Sequence, residues 1–408
     1  MPLDKIKKVL TRELNGLEKM GSLKGVENVI VGIKRRDGKA GTRYLLEGCG
    51  DREFIRMNSN NYLGMALRKQ LIEAEEEAVR EFGVGPGAVR FISGTYQKHV
   101  ELERRLAAFH DKESGMIFGS AYAAVAGILP ALISEETAVV SDELNHNSII
   151  NAIRLSRPKL KKVYPHNDMR ELSACIQESI GQACRLIIVT DGIFSMRGDH
   201  APLREIADLA EKHDADFAEG ILTVIDDSHG VGASGDTGRG TTEITGESRI
   251  DILIGTLGKA FGVNGGYLVS DHTLITYLRE TAPQYIYSNP VTVGEAGAAI
   301  ASLEFIDSGD GRKLLAKLEK MTGIFRNGLI SMKYDTLTGV HPIVPLFTHD
   351  AANTVRLVNY LNEKGILATG IHYPVVPKGA DEIRFQISAE HEESDINRVL
   401  DVLKTFKH

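Results

Sequence analysis

The chain has 408 residues, 42% of them hydrophobic and 25% charged, and a formal net charge of −7, which describes a globular protein with a large core and favours two domains over one. The negative charge argues against nucleic acid, whose phosphates need a basic face, and no apolar run approaches the ~18 residues of a membrane span. The three cysteines, Cys49, Cys175 and Cys184, lack CxxC spacing or nearby histidines, and Met1 to Lys5 lack the apolar core of a signal peptide, so the expectation is a cytoplasmic chain with reduced thiols and no metal site.

Leu3, Ile6, Val9, Leu10, Leu14 and Leu17 recur among charges over residues 2 to 20, the spacing of an amphipathic helix. Such a helix could serve as an arm on a partner subunit. Asn60-Asn61-Tyr62-Leu63-Gly64 reads as a turn before a helix from about Lys69 to Phe82. Gly83-Val84-Gly85-Pro86-Gly87 follows a helix and contains a proline, which argues against a dinucleotide fingerprint and for a substrate-side loop. Lys98 to Phe109 is a second amphipathic helix.

From Ser114 to about Ser270, short apolar runs alternate with helical patterns. The candidate strands are Gly115–Phe118, Ala138–Ser141, Lys162–Tyr164, Leu186–Thr190, Leu222–Asp226, Ile252–Gly255 and Gly266–Val269; Ala121–Leu132 and Leu203–Lys212 are helices between them. The alternation predicts an α/β fold with a mostly parallel sheet covered on both faces. Ligands of such sheets bind beyond the carboxyl ends of the strands. Four polar clusters lie at those ends: Asp142–His146, Asp191–Asp199, Asp226–His229 and Thr256–Lys259. Beyond Pro290 the pattern continues as helices over Val293–Asp307 and Lys313–Met332, then a strand-and-helix module from Pro342 to Phe406.

Lys259 stands in Gly255-Thr256-Leu257-Gly258-Lys259-Ala260-Phe261-Gly262, among glycines and apolar residues with no other basic residue near. A desolvated lysine gives up its proton more readily and becomes a nucleophile suited to Schiff-base chemistry. A phosphate-binding P-loop fails on spacing, because Leu253 holds the first glycine position and Ala260 replaces the magnesium-binding hydroxyl. A plain loop lysine stays open on these residues alone.

Six blocks in order carry a family resemblance. Asn60-Asn61-Tyr62-Leu63-Gly64, Ser141-Asp142-x-x-Asn145-His146-x-Ser148-Ile149, Asp191-Gly192-x-Phe194-Ser195-Met196-x-Gly198-Asp199, Asp226-Asp227-Ser228-His229, Gly255–Lys259, and Tyr373-Pro374-Val375-Val376-Pro377-Lys378-Gly379 with Ile383-Arg384 together resemble the α-oxoamine synthases, pyridoxal-phosphate (PLP) enzymes of fold type I. The resemblance implies a large domain with a mostly parallel seven-stranded sheet at 57–290, a smaller α+β C-terminal domain at 291–408, and an N-terminal helical arm at 1–56. It also implies roles. Lys259 would hold PLP and later act as base; Asp226 would face the pyridine nitrogen; His229 and Ser195 would contact the phenolic oxygen; His146 would stack on the ring and assist catalysis. Ala121 and Tyr122 at a helix start, with Thr256, would take the phosphate. Ser288 and Asn289 match a segment supplied by a neighbouring subunit, implying a homodimer with shared sites. Arg384, assisted by Asn60, would grip the amino-acid carboxylate.

The implied reaction condenses a small amino acid with an acyl-CoA and releases CoA. Within the family, the C-terminal block and the Asn145-His146-x-Ser148-Ile149-Ile150 run are closest to glycine C-acetyltransferase, so glycine and acetyl-CoA or another short chain are favoured. The alternative is the decarboxylating branch, such as 8-amino-7-oxononanoate synthase, or a synthase using alanine, serine or a long chain. Another aminotransferase or lyase of the same fold is a further rival. Three positions depart from the family pattern: Arg197 replaces an acidic residue, Val125 an asparagine, and Phe217 to Ile221 reads as a short insertion.

Overall fold

The computed structural model describes residues 2–19, 23, 27–35, 40–373, 375–377 and 379–406. Seven strands, Ser114–Phe118, Thr137–Asp142, Leu160–Tyr164, Arg185–Asp191, Ile221–Asp226, Ile252–Thr256 and Gly266–Ser270, form one sheet. Each matches a strand expected from the sequence to within a residue or two at either end. Their spatial order is Ser114–Phe118, Gly266–Ser270, Ile252–Thr256, Ile221–Asp226, Arg185–Asp191, Thr137–Asp142 and Leu160–Tyr164. Gly266–Ser270 runs antiparallel to both neighbours, and the other pairings are parallel.

The central strands are near-continuous runs of Val, Ile and Leu because both faces of the sheet are covered. Val139, Val140, Leu186 to Val189, Val224, Ile225 and Ile252 to Ile254 are all buried. Helix Ala121–Leu132 packs Ala124, Val125, Ile128, Leu129 and Leu132 into that core. Val125 is thus part of the buried hydrophobic core, where an apolar residue at this departure from the family pattern is at home. Helix Leu203–His213 buries Leu203, Ile206, Ala207 and Ala210, the i, i+3, i+4, i+7 face expected of a helix lying on a sheet. The insertion after it folds into a tight turn: Phe217 N–H donates to Asp214 O and Gly220 N–H to Phe217 O, with the Phe217 ring buried.

Two compact units emerge, one of residues 60–320 with 339–342, the other of 1–59, 321–338 and 343–408. The boundary therefore falls inside helix Gly309–Ser331 rather than near residue 290. The first 59 residues join the C-terminal segment because strand Glu53–Arg56 pairs in parallel with Ile366–Leu367. This second unit also holds a three-stranded antiparallel sheet with Glu382–Gln386 in the middle, between Ile343–Phe347 and Thr369–Ile371. Helix Pro2–Lys19 forms as expected, with Leu3, Ile6, Leu10, Leu14 and Leu17 exposed along it.

Candidate active site

The parallel strands of the large sheet end at Asp142, Asp191, Asp226 and Thr256, and the turns beyond them carry the polar clusters. Strand register sets Asp191 directly opposite Asp226 on the neighbouring strand. The turn after Ile252–Thr256 delivers Lys259. It is tied to itself: Thr256 Oγ1 accepts from Gly258 N–H at 3.1 Å and donates to Gly265 O at 3.2 Å, while Val263 N–H donates to Leu257 O. The result is a pocket of about 220 Å³ whose lining includes Lys259, Asp226, His229, His146, Ser195, Thr256, Ala121 and Tyr122. Eight residues that the sequence singled out from five segments thus share one cavity.

The pocket's acidic side is buried and ordered. Asp226 Oδ1 accepts from Ser228 Oγ at 2.5 Å and from its N–H at 3.2 Å. Burial, with the Asp226 charge opposite it, pushes the Asp191 carboxyl well above the usual carboxylate range, and nearby Lys259 pulls against that rise. Asp227 points the other way into a cage where a Cβ on Gly192, Gly230 or Gly240 would lie within 2.4 Å of its oxygens. Burial raises it to about 7, against hydrogen bonds from the Thr241 N–H and hydroxyl.

His146 caps helix Asn147–Ser156, and its Nδ1 accepts from Ser148 N–H at 3.2 Å. That bond puts the proton of the neutral ring on Nε2, the nitrogen left for the pocket. Its backbone N–H donates to Asp191 Oδ2 at 3.1 Å, and Asn145 Oδ1 accepts from Asp191 N–H at 2.8 Å. Burial lowers the His146 pKa below 6.5, with Asp226 opposing and Lys259 adding to the fall. Burial thus favours the neutral imidazole over the cation.

His229 is held from two sides. Tyr62, fully buried, has its hydroxyl 2.8 Å from His229 Nδ1, and His341 Nε2 donates to His229 O at 3.0 Å. The same Tyr62 hydroxyl lies 3.4 Å from Asn60 Oδ1, which links the Asn60 turn to the site.

The pocket lining also includes the start of helix Ala121–Leu132, where Ser120 Oγ accepts from Ala123 N–H at 3.0 Å. The amides of Ala121 and Tyr122 belong to the first turn, which has no helical carbonyl for them, and the dipole favours an anion there. Strand Gly266–Ser270 comes so close that a Cβ on Gly266 would sit 2.1 Å from Ala121 N. Ser195 occupies a tight turn closed by Phe194 N–H to Asp199 O at 3.0 Å.

Four expected site residues lie elsewhere than this lining. Ser288 and Asn289 form an exposed segment after the short helix Pro283–Ile286. Asn60 is linked to the lining through Tyr62. Arg384 belongs to the second unit, on the middle strand of its three-stranded sheet, opposite Pro345 and Thr369. Pro374 and Lys378 of the C-terminal block lie outside the described residues. Conversely, Ser120, Ser148, Asp191, Ile193 and Ser228 line the pocket without having been assigned a role. Ser148, Asp191 and Ser228 stood inside the quoted motif blocks, and Ser120 in an N-cap position, so each carried a signal.

The chain belongs to the class I and II aminotransferase family and, within it, to the PLP-dependent α-oxoamine synthases: the Aminotransferase class I and II family model matches residues 52–403. It is 40% identical over 369 residues to the 8-amino-7-oxononanoate synthase of Geobacter metallireducens, covering 90% of this chain and 92% of that one. It is 38% identical to the enzyme of the same name from Fervidobacterium nodosum, covering 94% and 95% of the two chains. Among solved structures, a serine palmitoyltransferase from S. paucimobilis with bound PLP–myriocin aldimine superposes with a TM-score of 0.85 at 25% identity, covering 98% of this chain and 97% of that one. A serine palmitoyltransferase from Sphingomonas wittichii does so at 0.85 and 27% identity, covering 99% and 97%. The protein is thus a PLP-dependent enzyme of the acyltransferase type. The relatives' names support the decarboxylating alternative better than the glycine and acetyl-CoA reading favoured by the motif blocks. The residues present fit the cofactor: an amine at Lys259, a buried carboxylate at Asp226 and a helix start pressed close by Gly266 are the groups that its aldehyde, ring nitrogen and phosphate would require.

Proposed function

We propose that this enzyme condenses alanine with an acyl thioester bearing a distal carboxylate, with loss of carbon dioxide and release of the thiol. The observation that carries this reading is the 40% identity, across 90% of the chain, to an 8-amino-7-oxononanoate synthase. That product's name spells out its halves: a methyl and an amino-bearing carbon, as alanine leaves after decarboxylation, and an oxo acid chain ending in a carboxylate.

When bound, PLP withdraws electrons from the amino acid's α-carbon. Lys259 would anchor it, then take the α-proton at Nζ and later return one to the same carbon. Asp226, braced by Ser228, would keep the ring nitrogen protonated. His229 and Ser195 would hold the phenolic oxygen, and the Ala121 and Tyr122 amides with Thr256 the phosphate. Thr256 would have to turn its hydroxyl proton from Gly265 O to do so. Neutral His146, with its Nε2–H on the pocket side, would stack on the ring and donate to the thioester oxygen as it gains charge. Asn60 and Arg384 would bind the amino-acid carboxylate, and Ser288 and Asn289 would complete the pocket of a second subunit in a cytoplasmic homodimer.

The test is thiol release by the PLP-loaded protein from a panel of acyl-CoAs with alanine, glycine or serine, with product mass read in parallel. Alanine with a carboxyl-terminated acyl-CoA, yielding a decarboxylated product, is the expected pair. Turnover with glycine and acetyl-CoA alone, with the carboxylate retained, would move the enzyme to the acetyltransferase branch that the Asn145–Ile150 run favours. No turnover with any pair would reject both.

A further inference from the structure

The turns that carry His146 and Ser195 follow different strands, yet one side chain joins them. His166 lies beyond strand Leu160–Tyr164, at the edge of the sheet. Its Nδ1 is 3.3 Å from Asp142 Oδ1 and its Nε2 is 3.0 Å from Asp199 Oδ2. A ring with a carboxylate at each nitrogen bonds both only as the doubly protonated imidazolium.

The Asp142 carboxylate organises its turn directly, whereas Asp199 joins its turn through the backbone and turns its carboxylate to His166. Asp142 Oδ1 accepts from Leu144 N–H at 2.8 Å, its Oδ2 from Asn167 N–H at 2.9 Å, and its backbone oxygen from Asn145 N–H, which fixes the path to His146. The backbone oxygen of Asp199 closes the turn around Ser195 by accepting from Phe194 N–H, reinforced by Gly198 N–H to Phe194 O and by the bridge between Ile193 and His200. Phe194, buried, presents its ring edge-on to His166 with centroids 4.3 Å apart. Arg197 donates from Nε to the same Asp199 oxygen at 2.9 Å. The departure at residue 197 thus adds a second cation to this junction rather than altering the pocket lining.

We propose that His166, as an imidazolium bridging Asp142 and Asp199, is a positioning residue that fixes the spacing of His146 and Ser195 across the cofactor pocket. The proposal rests on those two residues meeting PLP as argued above. The charged groups that face the ring are Asp142 and Asp199, with Arg197 through Asp199; Glu143 Oε1 accepts from the His166 backbone N–H at 3.0 Å, and His200 adjoins through Asn167 Nδ2 to its carbonyl. Burial lowers the affinity of His166 for its proton, but the two carboxylate hydrogen bonds outweigh it and raise the pKa to about 9. The folded value exceeds the ordinary 6.5, so the bridge is intact below that pH and is lost as pH rises through about 9.

The experiment measures PLP affinity of the full-length apoenzyme by fluorescence titration, and kcat of the holoenzyme, from pH 7 to 10. The variants are His166→Gln and Asp199→Asn. Wild type should bind PLP evenly to about pH 8.5 and weaken above it. His166→Gln should bind less tightly at pH 7.5, lose roughly ten- to a hundredfold in kcat, and lack the alkaline weakening. Asp199→Asn removes one carboxylate and should move that limb to lower pH by about one unit. A His166→Gln protein with wild-type affinity and an unchanged limb would overturn the proposal; should it not fold, an unmoved limb in Asp199→Asn does the same. Wild type that binds no PLP would instead reject the pocket reading itself.

Discussion

Gly266→Ala tests the cofactor cradle without touching a functional group. The methyl would lie 2.1 Å from Ala121 N, 2.4 Å from Ser120 C and 2.5 Å from Ala121 Cα, all backbone atoms with no rotamer to yield. Ordinary contact begins near 3.4 Å, so the strand and the helix start must part by more than an ångström. Gly266 does not have a left-handed φ, so alanine suits the backbone and the contact alone decides the outcome. Overpacking of this kind costs about 1–3 kcal/mol, against a gain of about 0.4–1 kcal/mol from a stiffer unfolded chain. Displacing one amide from a phosphate forfeits a charge-assisted hydrogen bond of about 1.5–3 kcal/mol, or roughly ten- to a hundredfold in Kd. Fluorescence titration of the apoenzyme with PLP, alongside its thermal unfolding, measures both effects. Wild-type Kd and Tm in the variant would refute the cradle.

Three further perturbations separate chemistry from scaffold. Lys259→Ala should abolish condensation while leaving the apoenzyme's Tm unchanged; borohydride reduction followed by peptide mass analysis should find PLP on Lys259 of wild type and nowhere in the variant. Glu103 accepts from Arg90 at 3.0 and 3.1 Å and from Arg279 at 2.8 Å. Glu103→Ala strands these guanidiniums and should cost about 3–5 kcal/mol in urea unfolding, a loss below 1 kcal/mol arguing that the pair is not truly desolvated. Burial, with Arg239 and Lys112 adding to it, lowers the His110 pKa from 6.5 to about 3. Its folded value is depressed, so its contribution is present above pH 6.5 and declines toward pH 3, by about 1.4 kcal/mol per unit. His110→Gln should flatten that acid limb of the stability curve, and an identical slope would exclude His110 as its source.

Much of the scaffold was readable locally. Short continuous apolar runs and period-3.6 patterns located the seven strands and the flanking helices, because burial on a sheet covered on both faces or on a helix face leaves a short-range trace. The polar clusters announced the carboxyl edge for the same reason, since a strand end can carry Asp142, Asp191 or Asp226 only where the core stops. Lys259 was conspicuous among glycines, and the block order named the chemistry. The branch was less legible: motif blocks near His146 pointed to one substrate pair and whole-chain identity to another, because substrate choice rests on pocket shape rather than on the shared catalytic groups.

The sequence alone determined the strands and helices of the large sheet, its carboxyl-edge residues and the setting of Lys259 among glycines, all of which are patterns within a few residues along the chain. Tertiary structure decided which elements became neighbours. It set Asp191 opposite Asp226, reversed the direction of Gly266–Ser270 and pressed it on Ala121, and joined the first 59 residues to the C-terminal segment. It also brought His166 between Asp142 and Asp199. Strand pairing and buried ion bridges are contacts between distant segments, and their energies depend on register and dielectric, which no local pattern of residues encodes.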